Sequence, residues 1–328
     1  MQNKALICGI SGQDGVYLAQ LLLEKGYKVH GTTRCTSRSN LGNLRQLGVS
    51  EKISTHYMAI EDLSSVQRVM EEVQPDEIYN LAGESSVGLS FELPAEALNS
   101  ICVGTFNLLE AIRISGQPIK FYNAGSSECF GGADGVPSDE LTPFRPRSPY
   151  AVAKSAAFWG VANYREAYNL FACTGLLFNH ESPLRPERFV TQKIVKTACR
   201  IAAGSGETLH LGNITIARDW GWASEYVEAM WLMLQQNKPN DYVIATGETH
   251  TLEELAAEVF RCLDLDWREH VLADQSLLRP LDIAVSSANP RMASEILGWR
   301  AKYRMKDVVR MMVDEEQRLI STQYYFTK

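Results

Sequence analysis

An apolar run over residues 4–9 (KALICG) passes without a break into Gly9-Ile10-Ser11-Gly12-Gln13-Asp14-Gly15. Residues 13–25 then carry helical spacing up to Gly26. A strand, a G-x-x-G-x-x-G turn and a helix in direct succession constrain this chain more than any other feature. The glycines permit a tight turn and let the backbone approach a pyrophosphate, which then rests on the helix N-terminus. Glycine alone is weak evidence, because ordinary turns and helix starts also use it. The strand before it and the helix after it are what make this a dinucleotide loop, with Gly9, Gly12 and Gly15 against the cofactor.

The rhythm that follows fits such a loop. Residues 27–32, 53–59, 77–81, 119–124 and 171–177 are β-rich, and residues 64–73, 95–115 and 149–167 carry helical spacing. Alternating short strands and longer helices build parallel βαβ units. The expected fold is therefore α/β, a doubly wound parallel (Rossmann) sheet with a smaller C-terminal substrate-binding domain. Residues 1–178 form the first domain, joined by a returning segment near 214–246 with a late strand over 241–246. Residues 179–213 and 247–328 form the second, with helices over 252–263 and 305–320. Its entry, residues 181–188, is rich in proline and charge, as a substrate loop would be.

Composition narrows the partners. The chain has 328 residues, 45% of them hydrophobic, and a net charge of −7. No basic surface advertises nucleic acid or anionic lipid, although local cations can still hold an anionic nucleotide. The start, Met-Gln-Asn-Lys, has no long apolar stretch behind it, and no uncharged run is long enough for a bilayer. Seven scattered cysteines, with no C-x-x-C, predict neither a disulfide framework nor a metal site. A cytoplasmic setting is expected.

The end of the second strand reads Thr32-Thr33-Arg34-Cys35-Thr36-Ser37-Arg38, without an acid until Glu51. NAD enzymes place an acid here for the ribose hydroxyl, whereas NADP enzymes place a cation near the 2′-phosphate. Arg34 thus points to NADP over NAD, unless it is a solvated loop charge. Asp62 is placed to touch the adenine edge or to cap the next helix.

Tyr150 and Lys154 stand four apart in Ser148-Pro149-Tyr150-Ala151-Val152-Ala153-Lys154, on one face of a helix that Pro149 starts. A phenol with a pKa of about 10 is a poor base at neutral pH, and a neighbouring ammonium lowers that pKa. Ser126 and Glu128 follow the strand at 119–124, where strand ends face the ligand crevice. Ser126 can bond a substrate hydroxyl or carbonyl beside Tyr150. Glu128 is more telling: hydride transfer needs no extra carboxylate, whereas removing a proton next to a carbonyl does. Each also has a plain reading, as a turn residue and a solvated acid.

These residues resemble the extended short-chain dehydrogenases/reductases, and among them the GDP-mannose 4,6-dehydratases. The similarity runs over nearly the whole chain. It is carried by GISGQDG (9–15), QPDEIYNL (74–81), PFRPRSPYAVAK (143–154), LFNHESP (177–183), FVTQKI (189–194), RDWG (218–221) and YVIATG (242–247). The resemblance implies that Tyr150, with Lys154 and Ser126, helps oxidise C4 of the sugar. Glu128 then takes the C5 proton and helps expel the C6 hydroxyl as water. It adds Gln13, Asp14, Leu63, Leu81 and Ser85 to the cofactor contacts. For the GDP-sugar it implies Ser85, Asn179, Glu181, Val190, Lys193, Arg218 and Arg279, and for assembly a homodimer or homotetramer. Read on their own, Lys193 and Arg279 are surface charges, and Arg218 with Asp219 is an ion pair.

The chain departs from that pattern at Ser126 (usually threonine), at Asn123 and Gly125 (usually Gln and Ser), and at Arg34-Cys35, where two arginines are usual. It departs again in Leu184-Arg185-Pro186-Glu187-Arg188 and at Ala284. Because these changes gather around the sugar pocket, a sibling GDP-linked heptose or N-acetylglucosamine stays open as substrate. A keto-reductase or epimerase, which would not need Glu128, is the second class.

Overall fold

A computed structural model describes residues 2–34, 41–132 and 135–326. Cys35 and Arg38 lie outside the described residues. Six strands alternate with helices in the first half: β1 (Lys4–Cys8), β2 (Lys28–Thr33), β3 (Ser54–Tyr57), β4 (Glu77–Asn80), β5 (Lys120–Ala124) and β6 (Ala172–Leu177). Between them run α1 (Gln13–Glu24), α2 (Gly42–Gln46), α3 (Leu63–Val73), α4 (Val87–Glu92), α5 (Pro94–Leu98), α6 (Gly104–Ser115) and α7 (Pro149–Tyr168). The second half adds β7 (Asn179–Glu181), α8 (Val190–Ala202), β8 (Leu209–Leu211), β9 (Ala217–Arg218), β10 (Trp220–Trp222) and α9 (Ala223–Leu234). It continues through β11 (Tyr242–Ile244), β12 (His250–Thr251), α10 (Leu252–Arg261) and β13 (Val271–Ala273) to α11 (Met305–Phe326).

The main sheet has seven strands in the order β11-β6-β5-β4-β1-β2-β3, all parallel. Strands such as β1 and β6 are buried almost throughout because helices cover both faces, which is why they read as unbroken apolar runs. One face packs with α1 and α9 around Val16, Leu18, Met230 and Met233, and the other with α3, α6 and α7 around Val69, Leu108 and Val161. A further apolar cluster unites α8, α10 and α11 around Val195, Leu255, Phe260 and Val309. Between β1 and β4 the strand order reverses, and such a switch point opens a crevice at the strands' C-terminal ends.

Two expected elements turned out differently, each for a local reason. The single helix over 95–115 is interrupted by a π-helical turn at Asn99–Val103, with α5 before it and α6 after. There Ser100 Oγ donates to Glu96 O at 2.7 Å and accepts from Glu84 N at 3.2 Å, which sets the turn against the crevice. The strand over 241–246 shrinks to β11 because its flanks are used otherwise. Asp241 pairs with Arg165 of α7 (2.7 Å) and accepts from Thr174 N (2.6 Å), whereas Thr246 N donates to Asp219 (3.0 Å). The short pairs β7–β10, β9–β12 and β8–β13 had no periodic signature in the sequence. Among the described residues no helix is long and apolar enough to cross a membrane.

Candidate active site

The ends of β1, β2, β4, β5 and β6 open into one cavity of about 790 Å³. At its floor, Gly9 has φ +86°, and a Cβ there would stand 2.8 Å from Leu81 O. A Cβ on Gly15 would stand 2.8 Å from Ile10 Cα. Only glycine lets the turn after β1 press this closely on the β4 end. No side chain caps the first turn of α1, so its leading N–H groups face the cavity as a cradle for an anion.

The side chains of this loop also bond within the protein. Gln13 Nε2 donates to His180 O (3.1 Å), Ser182 Oγ donates to Gln13 Oε1 (2.8 Å), and Asp14 Oδ2 lies 2.9 Å from His180 Nε2. They tie the glycine turn to β7, so Gln13 and Asp14 join the two walls of the cavity. For Asp14, burial works to raise the pKa and is outweighed by His180, leaving it below the ordinary carboxylate range. Burial likewise opposes the charged form of His180, and Asp14 more than offsets it, leaving His180 raised.

The turn after β5 brings two candidates together. Ser126 Oγ caps the 3₁₀ turn at Ser127–Phe130 by accepting from Glu128 N at 3.2 Å. The same hydroxyl meets the Tyr150 phenol. Burial pushes that phenol above its ordinary value, and the Ser126 bond works against the rise. Tyr150 sits in the first turn of α7, which Ser148 caps through Ala151 N (3.1 Å) and Pro149 opens; its own N–H donates to Ser90 Oγ (3.2 Å). One turn on, Lys154 Nζ donates to Ala124 O at 2.7 Å and lies 5.7 Å from the centre of the Tyr150 ring. Desolvation lowers its pKa to about 8.

Glu128 lines the cavity from a half-buried position. Burial raises its pKa, Arg218 and Arg279 work to lower it, and Asp282 adds to the rise. Arg218 is buried, and Nη1 donates to Ala217 O (2.9 Å) and Ile283 O (2.7 Å) while Nη2 donates to Asp282 Oδ1 (3.0 Å). The ion pair considered between Arg218 and Asp219 is not formed: Asp219 turns the other way, to the N–H groups of Thr246 and Gly247.

Ser85, Asn179, Glu181, Val190, Lys193, Arg34 and Leu81 also line the cavity. Glu181 is buried, accepting from Thr191 Oγ1 and pairing with Arg185 at 3.1 Å, and Lys193 Nζ donates to His210 O at 2.7 Å. Asp62 and Leu63 fall outside the lining. Asp62 is the α3 cap, accepting from Ser64 N at 3.0 Å, so of its two readings the capping one is realised. His180, Arg185 and Asp282 line the cavity although the sequence did not single them out. The first two lie inside or beside the LFNHESP stretch, and Asp282 stands three residues after Arg279.

The profile of the family described as GDP-mannose 4,6 dehydratase matches residues 6–312. The chain belongs to that family. It is 48% identical over 325 residues to GDP-mannose 4,6 dehydratase 1 of Arabidopsis thaliana, covering 96% of this chain and 90% of that one. With the GDP-mannose 4,6 dehydratase of Homo sapiens it shares 42% over 347 residues, covering 98% and 93%. Among solved structures, a UDP-glucose 4-epimerase from Thermotoga maritima with UDP-glucose superposes with a TM-score of 0.85 at 21% identity, over 97% of this chain and 99% of that one. A dTDP-glucose 4,6-dehydratase from Bacillus anthracis with NAD gives 0.83 at 20% identity, over 96% and 97%. These two likenesses show the shared fold.

Lys154 supplies a test of this geometry. A base whose pKa is lowered on folding binds fewer protons folded than unfolded between about 8 and its ordinary value, so its burial costs less stability as pH rises. From pH 7.5 to 9.5, urea denaturation should show wild type gaining about 2 kcal/mol relative to Lys154→Met. An unchanged difference would mean that the ammonium is not desolvated.

Proposed function

We propose that this chain is a GDP-mannose 4,6-dehydratase working with NADP, which removes water across C5 and C6 of the sugar without net oxidation. The observation that carries the reading is Glu128, a cavity-facing carboxylate raised by burial on the same short turn as Ser126 and across from Tyr150. Relatives bearing that activity in their names, at 42–48% identity over nearly the whole chain, support it.

The dinucleotide fits the end of the cavity made by Gly9, Gly12, Gly15, Gln13, Asp14, Arg34, Leu81 and Ser85, where added Cβ atoms would fill the cradle. A nicotinamide held there would supply a reversible hydride acceptor for C4 and donor for C6. The protein's own share is proton handling and positioning. Tyr150 takes the C4 hydroxyl proton at Oη, with Lys154 supplying the nearby positive charge that a buried phenolate requires. Ser126 Oγ steadies the same sugar oxygen. The resulting C4 ketone acidifies C5–H, so a carboxylate is a sufficient base. Glu128 takes that proton at its carboxylate and delivers it to the departing C6 hydroxyl as water leaves, and the proton that Tyr150 took from the C4 hydroxyl balances the one that C5 regains. Asn179, Glu181, Val190, Lys193, Arg218 and Arg279 hold the GDP portion, the cations facing its diphosphate. The division at residue 178 fits this, with the cofactor on the sheet and the GDP-sugar on the later segments.

For assembly we propose a homodimer, alone or paired into a tetramer, through α6 and α7. Both carry apolar residues turned outward, Phe106, Ile114 and Val152 among them, and Trp159 is 63% exposed. A helix apolar on both sides is buried on both sides. The described cysteines, none in a disulfide, fit a cytoplasmic setting.

Three outcomes are expected. Glu128→Gln keeps cofactor and substrate binding while water loss, followed by mass spectrometry over a panel of GDP-sugars, falls by at least about 100-fold. Near-normal dehydration would sink the reading, and intact hydride exchange without water loss in the wild type would favour the reductase or epimerase class. NADP binds more tightly than NAD in fluorescence titration, and Arg34→Ala narrows the ratio by roughly tenfold or more, as loss of one charge-assisted phosphate contact would. Preference for NAD contradicts this. Light scattering at micromolar concentration gives a dimer or tetramer mass, and a monomer defeats the α6–α7 contact.

A further inference from the structure

Asp282 lines the cavity beside Glu128 and takes no part in the steps above. Its Oδ1 accepts from Arg218 Nη2 at 3.0 Å and from Ile283 N at 2.9 Å, and lies 3.6 Å from Arg279 Nη1. Arg218 is held in addition by the carbonyls of Ala217 and Ile283. Those two backbone bonds would keep the guanidinium in place without any carboxylate. What Asp282 adds is therefore charge: one half-buried anion shared between the buried Arg218 and the more exposed Arg279 at the cavity wall.

We propose that Asp282 is a positioning residue of this site, which withholds part of the positive charge of Arg218 and Arg279 from Glu128 and from the substrate diphosphate. The inference rests on the reading of Glu128 as the C5 base.

The groups facing Glu128 are Arg218 on β9, Arg279 and Asp282 in the segment after residue 277, Tyr150 on α7, and Cys129 on its own turn. The two arginines favour its carboxylate; Asp282 and burial oppose it. The same two arginines have to serve two clients. A diphosphate wants as much positive charge as the wall can offer, whereas a base beside two unbalanced cations is a weak proton acceptor. A carboxylate between the arginines resolves the conflict, leaving enough cation for the phosphates and a base that still holds a proton.

The experiment is Asp282→Asn, which keeps the shape and the Oδ1 acceptor and deletes the charge. Three shifts are expected together. The acid limb of kcat moves down by about half a pH unit or more, since Glu128 loses a like-charged neighbour. The rate itself falls several-fold. Affinity for GDP, titrated by calorimetry without turnover, rises roughly fivefold. Asp282→Glu, which restores the charge, returns all three towards wild type. If Asp282 only props up the wall, the Asn variant binds GDP more weakly and its acid limb stays where it was, and the proposal is overturned. Should the Asn variant not fold, Arg279→Gln decides: removing a cation moves the acid limb up, and a limb that does not move overturns the proposal. The GDP titration separates this inference from the reading beneath it. Normal dehydration by Glu128→Gln removes the base assignment, and unchanged or weaker GDP binding by Asp282→Asn removes Asp282's role even where that assignment stands.

Discussion

The contact on which the site depends is the join between the glycine turn after β1 and the strand after β6. These segments are more than a hundred and sixty residues apart (Asp14 to His180, a separation of 166), and each builds one wall of the cavity. Backbone hydrogen bonds of the sheet hold β1 and β6 apart by two intervening strands, β4 and β5, and do not by themselves fix the loops beyond them. Gln13 and Asp14 do, by reaching His180 and Ser182. The pair is buried and charge-assisted, and its pH dependence follows from the two directions of shift. The lowered Asp14 contributes stability above the ordinary carboxylate pKa, lost as pH falls through its depressed value. The raised His180 contributes stability below the ordinary imidazole pKa, lost as pH rises through its elevated value. Both contributions overlap only in the mildly acidic window between, so the link between the glycine turn and β7 loosens on either side of it.

That link also explains why the cavity can serve a reaction with several proton movements. Tyr150 and Lys154 ride on α7, Ser126 and Glu128 on the turn after β5, and Arg218 on β9, and all face one space. Desolvation moves the groups in directions that suit their tasks. It keeps the free phenol protonated until positive charge is added, keeps Lys154 near the point of releasing its proton, and makes Glu128 a stronger base than a surface carboxylate.

Much of this was legible in the sequence, because the relevant signals are local. The glycine turn, the Tyr150–Lys154 spacing and the strand end at Ser126–Glu128 each depend on residues within one turn of one another, where periodicity and geometry coincide. What was not legible depends on distant partners. Arg218 has an acid as its immediate neighbour, and sequence proximity suggested that pair. The fold sends Asp219 to the backbone after β11 and gives Arg218 the carboxylate of Asp282, 64 residues on. Gln13 and Asp14 entered as cofactor contacts through the family resemblance, and nothing local reveals their bonds to His180 and Ser182. For Asp62, sequence offered the cap and the adenine edge alike, and the structure shows the cap, through the local hydrogen bond from Ser64 N. The two-residue and three-residue strands are too short to carry a period at all.

The departure at Gly125 closes the account of the β5 end. A Cβ at that position would stand 2.7 Å from Thr174 Cγ2 and 2.9 Å from Gly175 O, so β6 here comes too close for the serine usual in the family. The strand end is therefore held by backbone, with Gly125 N donating to Gly175 O at 2.8 Å. That leaves Ser126 as the first side chain able to reach the cavity, and it has two duties there: to cap the turn that presents Glu128 and to meet the Tyr150 phenol. With no β-methyl to restrict its rotamer, the hydroxyl depends on the Glu128 N–H to hold its direction. The turn that carries Glu128 and the hydroxyl that meets Tyr150 are thus joined by one hydrogen bond from a backbone N–H, so a change at Ser126 removes the acceptor that holds the turn, whereas a side-chain change at Glu128 leaves the bond intact.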